Sequence, residues 1–132
     1  MTVSEAPANS SADPEVAAAL PILRGRTAGI TGCLVASCDG LIIACDLPAE
    51  IEPAGMAALT ASALALSHRI TQTTLGGAFH EVVIRSVDGY VVIYSAGATA
   101  SLTVLAGPGV NVGRLHLESR PVARRIAEIL HR

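Results

Sequence analysis

Between Phe79 and Ala106 the chain reads FHEVVIRS, a turn, YVVIYSAG, a break, then SLTVLA, and these runs of Val, Ile and Tyr predict three consecutive antiparallel strands. Asp88-Gly89 separates the first two runs, and an Asp-Gly pair favours a two-residue hairpin turn whose backbone needs positive φ. Counting outward from that turn sets Val87 opposite Tyr90, Arg85 opposite Val92, Val83 opposite Tyr94 and Glu81 opposite Ala96. One face then carries Val82, Ile84, Val91 and Ile93 and is expected to lie under a helix. The other mixes Val83, Val92, Tyr90 and Tyr94 with the charges of Glu81 and Arg85, which marks the first strand as an edge. Because Glu81 and Arg85 lie symmetrically about Val83, a second copy of the strand across a two-fold axis would set Glu81 opposite its mate's Arg85. Simple protection of a free edge by charge accounts for the same pattern.

Upstream, Asp13-Pro14-Glu15 has the form of a helix start, with an N-cap carboxylate, proline at the first helical position and an acid at the positive end of the dipole. Val16, Leu20 and Leu23 give that helix a short apolar stripe, and Pro21 predicts that it is short, kinked or displaced. Residues 1–12 are mostly Ser, Ala, Pro and Asn and read as a flexible tail, leaving 13–132 as a single domain. Ile30 to Cys38, Asp39-Gly40 and Leu41 to Cys45 form a second predicted hairpin, which joins the later three strands because two strands cannot stand alone. Pro53 opens a helix that runs to about Thr73 and is stopped by Gly76-Gly77. On it Met56, Leu59, Ala63, Leu66 and Ile70 recur at steps of three and four and are expected to face the sheet. Ala58, Ser62, Ala65 and Arg69 make the opposite face small and smooth, which suits close approach of a partner; an Ala-rich surface is equally a good helix former. Asn111 caps a final helix that reaches Leu130, and Pro121 either kinks it or leaves Val112 to Glu118 irregular. Arg114, Arg120, Arg124 and Arg125 make this the one basic region, either a solvated face or a contact for an acidic partner. The element order is α-β-β-α-β-β-β-α, an α+β domain with one five-stranded sheet.

Composition narrows the possible functions. At 132 residues the chain suits one domain with a real core, and 51% apolar against 15% charged residues leaves more surface to be covered than usual. With no Trp, one Phe and two Tyr there is little for nucleic-acid bases to stack on. The net charge is −2 and all nine basic residues are Arg, which argues against a broad phosphate-binding surface. The opening residues lack both the positive start and the apolar run of a secretory signal, and the uncharged stretch from Pro53 to Ser67 is too short to cross a bilayer. A cytoplasmic protein with no membrane insertion is expected.

Three Cys and four His raise the question of metal or nucleophile chemistry, and their placement discourages both. With the first turn at Asp39-Gly40, Cys45 pairs with Leu34, Cys33 points to the opposite face, and Cys38 lies roughly 13 Å from Cys45 at about 3.4 Å per residue. No disulfide or zinc site spans that distance. His68, His80, His116 and His131 fall on separate elements without ligand spacing. Gly107-Pro108-Gly109-Val110-Asn111-Val112-Gly113 resembles a dinucleotide fingerprint only superficially, with glycine spacing one too long, and reads as turn and cap. No cofactor, metal or catalytic residue is expected.

Taken together, Gly29-Ile30-Thr31-Gly32-Cys33-Leu34-Val35-Ala36-Ser37-Cys38-Asp39-Gly40-Leu41, the Ala-rich helix, Val91-Val92-Ile93-Tyr94, Leu102-Thr103-Val104-Leu105-Ala106 and Asn111-Val112-Gly113 resemble the roadblock/dynein-light-chain family, over about Leu20 to Leu130. The resemblance implies a sheet in the order 2-1-5-4-3, with the central helix on one face and the terminal helices on the other. It implies a homodimer that pairs the third strands and sets the central helices side by side, placing Glu81, Val83 and Arg85 with Ala57 and Leu64 in the dimer interface. It further implies a non-catalytic platform for a Ras-like small GTPase, bound over Ala58, Ser62, Ala65 and Arg69, with GTP hydrolysis open to modulation. A histidine-kinase-like protein is a further partner of related bacterial systems. The rival expectation is a small-molecule sensor, since such sheets also form ligand pockets, and an enzyme ranks last.

Overall fold

A computed structural model describes residues 13–132; the expected tail at 1–12 lies outside the described residues. Eight elements follow in order: α1 (Pro14–Arg26), β1 (Ile30–Ser37), β2 (Ile42–Asp46), α2 (Pro53–Thr74), β3 (Glu81–Ser86), β4 (Gly89–Ser95), β5 (Ala100–Ala106) and α3 (Val112–Leu130). The strands form one antiparallel sheet in the order β2-β1-β5-β4-β3. The helix starts are built as their sequences dictate: Asp13 accepts from the Glu15 N–H at 2.8 Å and Asn111 from the Arg114 N–H at 3.0 Å. Pro21 and Pro121 end neither helix. Both prolines are exposed, on the side where water can serve the carbonyls they leave without a helical donor.

Pairing across the sheet aligns Cys45, Leu34, Thr103, Ile93 and Val82 on one face and Ala44, Val35, Leu102, Tyr94 and Glu81 on the other. The second face holds the main core. Val16, Leu20 and Leu23 of α1 and Leu115, Ala123, Ile126 and Ile129 of α3 close over Val35, Val92, Tyr94, Leu102 and Val104. The first face carries α2 on a far smaller cluster of Leu34, Ala36, Cys45 and Ala57. Cys33 and Cys45 are buried in different clusters, and burial pushes the Cys33 thiol up to about 12 and raises that of Cys45 as well.

Two expectations need correction and two are refined. The β3–β4 hairpin closes with Ser86 opposite Gly89, so Val87-Asp88 are the turn residues and Glu81 faces Tyr94, not Ala96. The slip moves the pairing by two, an even number, which is why each residue keeps its face. Both faces of β3–β4 are covered at β4 and open at the β3 edge: Val92 and Tyr94 are buried beneath α3 and Ile93 is buried on the α2 side, whereas Val83 and Ile84 are 43% and 47% exposed. The α2 helix is turned by about one residue, roughly 100°, from the expected phase. Ala57 and Thr60 are buried against the sheet, while Leu59, Leu66 and Ile70 stand exposed. Finally, the basic region is largely neutralised within the chain, as Arg125 and Arg132 meet Glu15, Arg114 meets Glu118 and Arg120 meets Glu81. The pairs to Glu15 and Glu81 tie the C-terminal segment to α1 and to the sheet edge.

Candidate interaction surface

The outer side of α2 is the most unusual surface of the domain. Glu52 caps the helix, accepting from the N–H groups of Ala54 (3.1 Å) and Gly55 (2.7 Å), and Pro53 fills the first helical position, where no N–H is required. The helix then approaches the sheet through small residues, and the β1–β2 turn backs onto it so closely that a Cβ on Gly40 would stand 3.4 Å from the Ala58 Cα. Ala58, Ser62, Ala65 and Arg69 are all exposed, as expected. Beside them run Leu59, Leu66 and Ile70, with 67%, 61% and 57% of their surface open. Three large aliphatic side chains on one helix face are not scattered surface residues but a continuous stripe. Ala57, by contrast, lies against its own sheet and is fully buried, which removes it from any interface; Leu64 is half-buried beside it.

Strand β3 forms the sheet edge, bonded only to β4 among the described residues. Val83 and Ile84 are 43% and 47% exposed beside the exposed charge of Arg85, and no proline or bulge interrupts the edge. Glu81 is engaged within its own chain. Its carboxylate accepts two hydrogen bonds from Arg120 of α3, at 3.0 and 2.7 Å, and lies 3.7 Å from Nδ1 of His116. That nitrogen in turn is 2.7 Å from the Tyr94 hydroxyl. The Arg120 hydrogen bonds hold the Glu81 carboxyl below its ordinary range, while burial pushes the Tyr94 phenol up to about 12. Arg85, which the symmetric pairing would oppose to Glu81, makes no ion pair among the described residues.

This clasp between α3 and the edge strand joins residues 39 apart in sequence and left no local signal. It carries a pH-dependent stability. With its folded-state pKa depressed, Glu81 stabilises the domain above the ordinary carboxylate range, and that contribution is lost as pH falls through the lowered value. Glu81→Gln is expected to cost about 1 kcal/mol at pH 7 and nothing once acid has protonated the wild-type carboxylate. Denaturant melts at pH 7 and through a series of falling pH check this, and a deficit that stays constant across the whole series would show that the charge is not what matters.

Among the described residues no group of His, Cys, Asp and Glu could hold a metal ion, and no helix is long and apolar enough to cross a membrane. A cleft of about 670 Å3 runs between α2 and the β4–β5 turn, lined mainly by Ala61, Leu64, Ala65, Phe79 and Ala98, with His68 and Ser95 among its few polar groups.

Residues 22–106 match the family model of the Roadblock/LC7 domain. Two proteins of Methanocaldococcus jannaschii, known only as uncharacterised proteins, are each 28% identical over 101 residues, 76% of this chain and 88% of their own length. Among solved structures, the Roadblock/LC7 domain from Streptomyces avermitilis superposes with a TM-score of 0.80 at 23% identity, covering 93% of this chain and all of that one. MglB in a tetrameric arrangement gives 0.79 at 19% identity over 88% of each chain, and the gliding protein MglB of Thermus thermophilus gives 0.75 at 18% over 88% of this chain and 90% of that one.

Proposed function

The chain belongs to the Roadblock/LC7 family, and from that premise we propose that it is a self-associating, non-catalytic platform for a Ras-like small GTPase. The observation that carries the reading is the exposed stripe of Leu59, Leu66 and Ile70 on α2, in a domain whose edge strand β3 also exposes Val83 and Ile84. Both features are liabilities in a lone monomer and assets in an assembly. A second copy covers the aliphatic stripe and the β3 edge. The smoother Ala58, Ser62, Ala65 and Arg69 remain for the GTPase, with Arg69 as a polar contact at the rim. The partner's name rests on the family, and the self-association rests on the exposed surface; the tetrameric arrangement of MglB belongs to that protein alone. Any effect on GTP hydrolysis arises from positioning the GTPase's own residues, since this surface offers only Arg69 and the neighbouring His68 and no carboxylate among Ala58, Ser62, Ala65 and Arg69.

Size-exclusion chromatography with light scattering, on the chain alone and with GTP- or GDP-loaded GTPase, tests both halves. A dimer or larger species that takes up GTPase in one nucleotide state supports the proposal; a monomer that ignores the GTPase overturns it. Ala58→Arg and Ala65→Arg place long cations on the exposed helix face, where the fold tolerates them. Each is expected to leave self-association intact and lower GTPase capture at least about tenfold, a loss near 1.4 kcal/mol. Capture at wild-type strength would move the GTPase off this face.

A further inference from the structure

We infer that α2 is held in place chiefly by what covers its outer face, so that its C-terminal half, from Ala65 onward, opens independently of the rest of the domain until a partner closes over it. The identity of the cover rests on the platform reading; the looseness is a property of the chain by itself. Of the 22 residues of α2 only Ala57 and Thr60 are buried, whereas the shorter α1 buries Val16, Leu20 and Leu23 and α3 buries five residues. From Ala65 to Thr74 only Ser67 and Thr71 are even half-buried. Nothing apolar on this half is anchored in the sheet.

The seat itself includes two buried hydroxyls that no protein group among the described residues bonds. Thr103, central on the sheet face toward α2, and Ser101, cross-strand from Ser95, are both buried with hydroxyl oxygens that find no hydrogen-bond partner. A buried hydroxyl without a partner favours the open state, in which water reaches it. The hydroxyls of α2 do not supply the missing bonds. Thr60 donates to the Ala57 carbonyl at 2.9 Å, Thr71 to Ser67 at 2.9 Å and Thr74 to Ile70 at 2.7 Å, all within the helix itself. The cleft beside Leu64, Ala65 and His68 leaves this half with little beneath it. A few helical turns with no apolar anchor are marginal in water, and segments with few buried contacts open at the low end of the stability range.

Hydrogen exchange read by mass spectrometry on the full chain, diluted until monomeric and again at concentrations where it self-associates, tests the inference. In the monomer, amides of residues 65–75 are expected to exchange at least about tenfold faster than those of β1, β5 and the buried turns of α3, and to slow by about tenfold or more on assembly. Thr103→Val, which keeps the shape and removes the orphan hydroxyl, is expected to slow exchange at residues 57–64. Protection of 65–75 in the monomer equal to that of β5 would overturn the inference and leave the platform reading standing. Fast exchange that persists unchanged in the assembly would instead show that no partner covers α2, overturning the locking step and the placement of the partner together.

Discussion

The double substitution Leu66→Glu with Ile70→Glu is expected to turn the chain into a monomer while leaving the isolated domain folded. Both side chains are more than half exposed on the outer side of α2, so little packing within the chain is lost. Glu is also at least as good a helix former as the residues it replaces, and the intrinsic change should stay within about 0.5 kcal/mol. Across a two-fold interface each substitution counts twice, setting four carboxylates where four aliphatic side chains would be buried. At about 1.5–3 kcal/mol for each fully buried aliphatic side chain, even partial burial predicts an affinity loss of at least a thousandfold, about 4 kcal/mol. Light scattering across a dilution series gives the oligomeric state, and a thermal melt confirms the fold. If the variant self-associates like the wild type, the stripe is not the interface, and its three exposed aliphatic residues need another occupant.

This stripe was visible in the sequence but assigned to the wrong side. The steps from Met56 to Ile70 gave the right periodicity, yet α2 carries apolar or small residues nearly all round, so periodicity fixed the helix without fixing its phase. Ala57 and Thr60 won the sheet-facing position because small residues permit the close approach seen at Gly40. The hairpin shows the same division. Asp88-Gly89 placed the β3–β4 turn one residue late, and the alternation still sorted the faces, because a slip of two in the pairing keeps each residue on its face. What the local sequence could not supply was the long-range reason for the register. Element order, helix ends and the capping roles of Asp13 and Asn111 were legible, since each is decided within a few residues. The Glu81–Arg120–His116–Tyr94 clasp was not, because only the folded sheet brings those side chains together.

Gly89 holds that register, and Gly89→Ala is expected to be the most destabilising of these substitutions. A glycine in a hairpin is ordinarily justified by its backbone, and Gly89 does have φ +147°. Its neighbours set a harder limit. A Cβ there would lie 2.1 Å from the carbonyl oxygen of Ala106 and 3.2–3.3 Å from the backbone carbons of Ala106 and Gly107. No flexible side chain can yield, so β4 and the end of β5 would have to separate. Ala106 pairs with both Tyr90 and Ile30, and Gly107 donates to the Gly29 carbonyl at 2.9 Å, so the disturbance would reach β1. The strained backbone and the broken ladder together predict a loss of at least about 3 kcal/mol, a large part of the 5–15 kcal/mol typical of a whole domain. Melting should fall by roughly 10 °C or more. Gly25→Ala is the matched control. It lies exposed near the end of α1 with nothing within 4 Å of its would-be Cβ, and it should stabilise by up to about 0.5 kcal/mol through helix propensity and a less flexible unfolded chain. Opposite signs for one chemical change would tie the cost at position 89 to the Ala106 carbonyl; a Gly89→Ala protein that melts with the wild type would show that the β4–β5 spacing is not as close as the register requires.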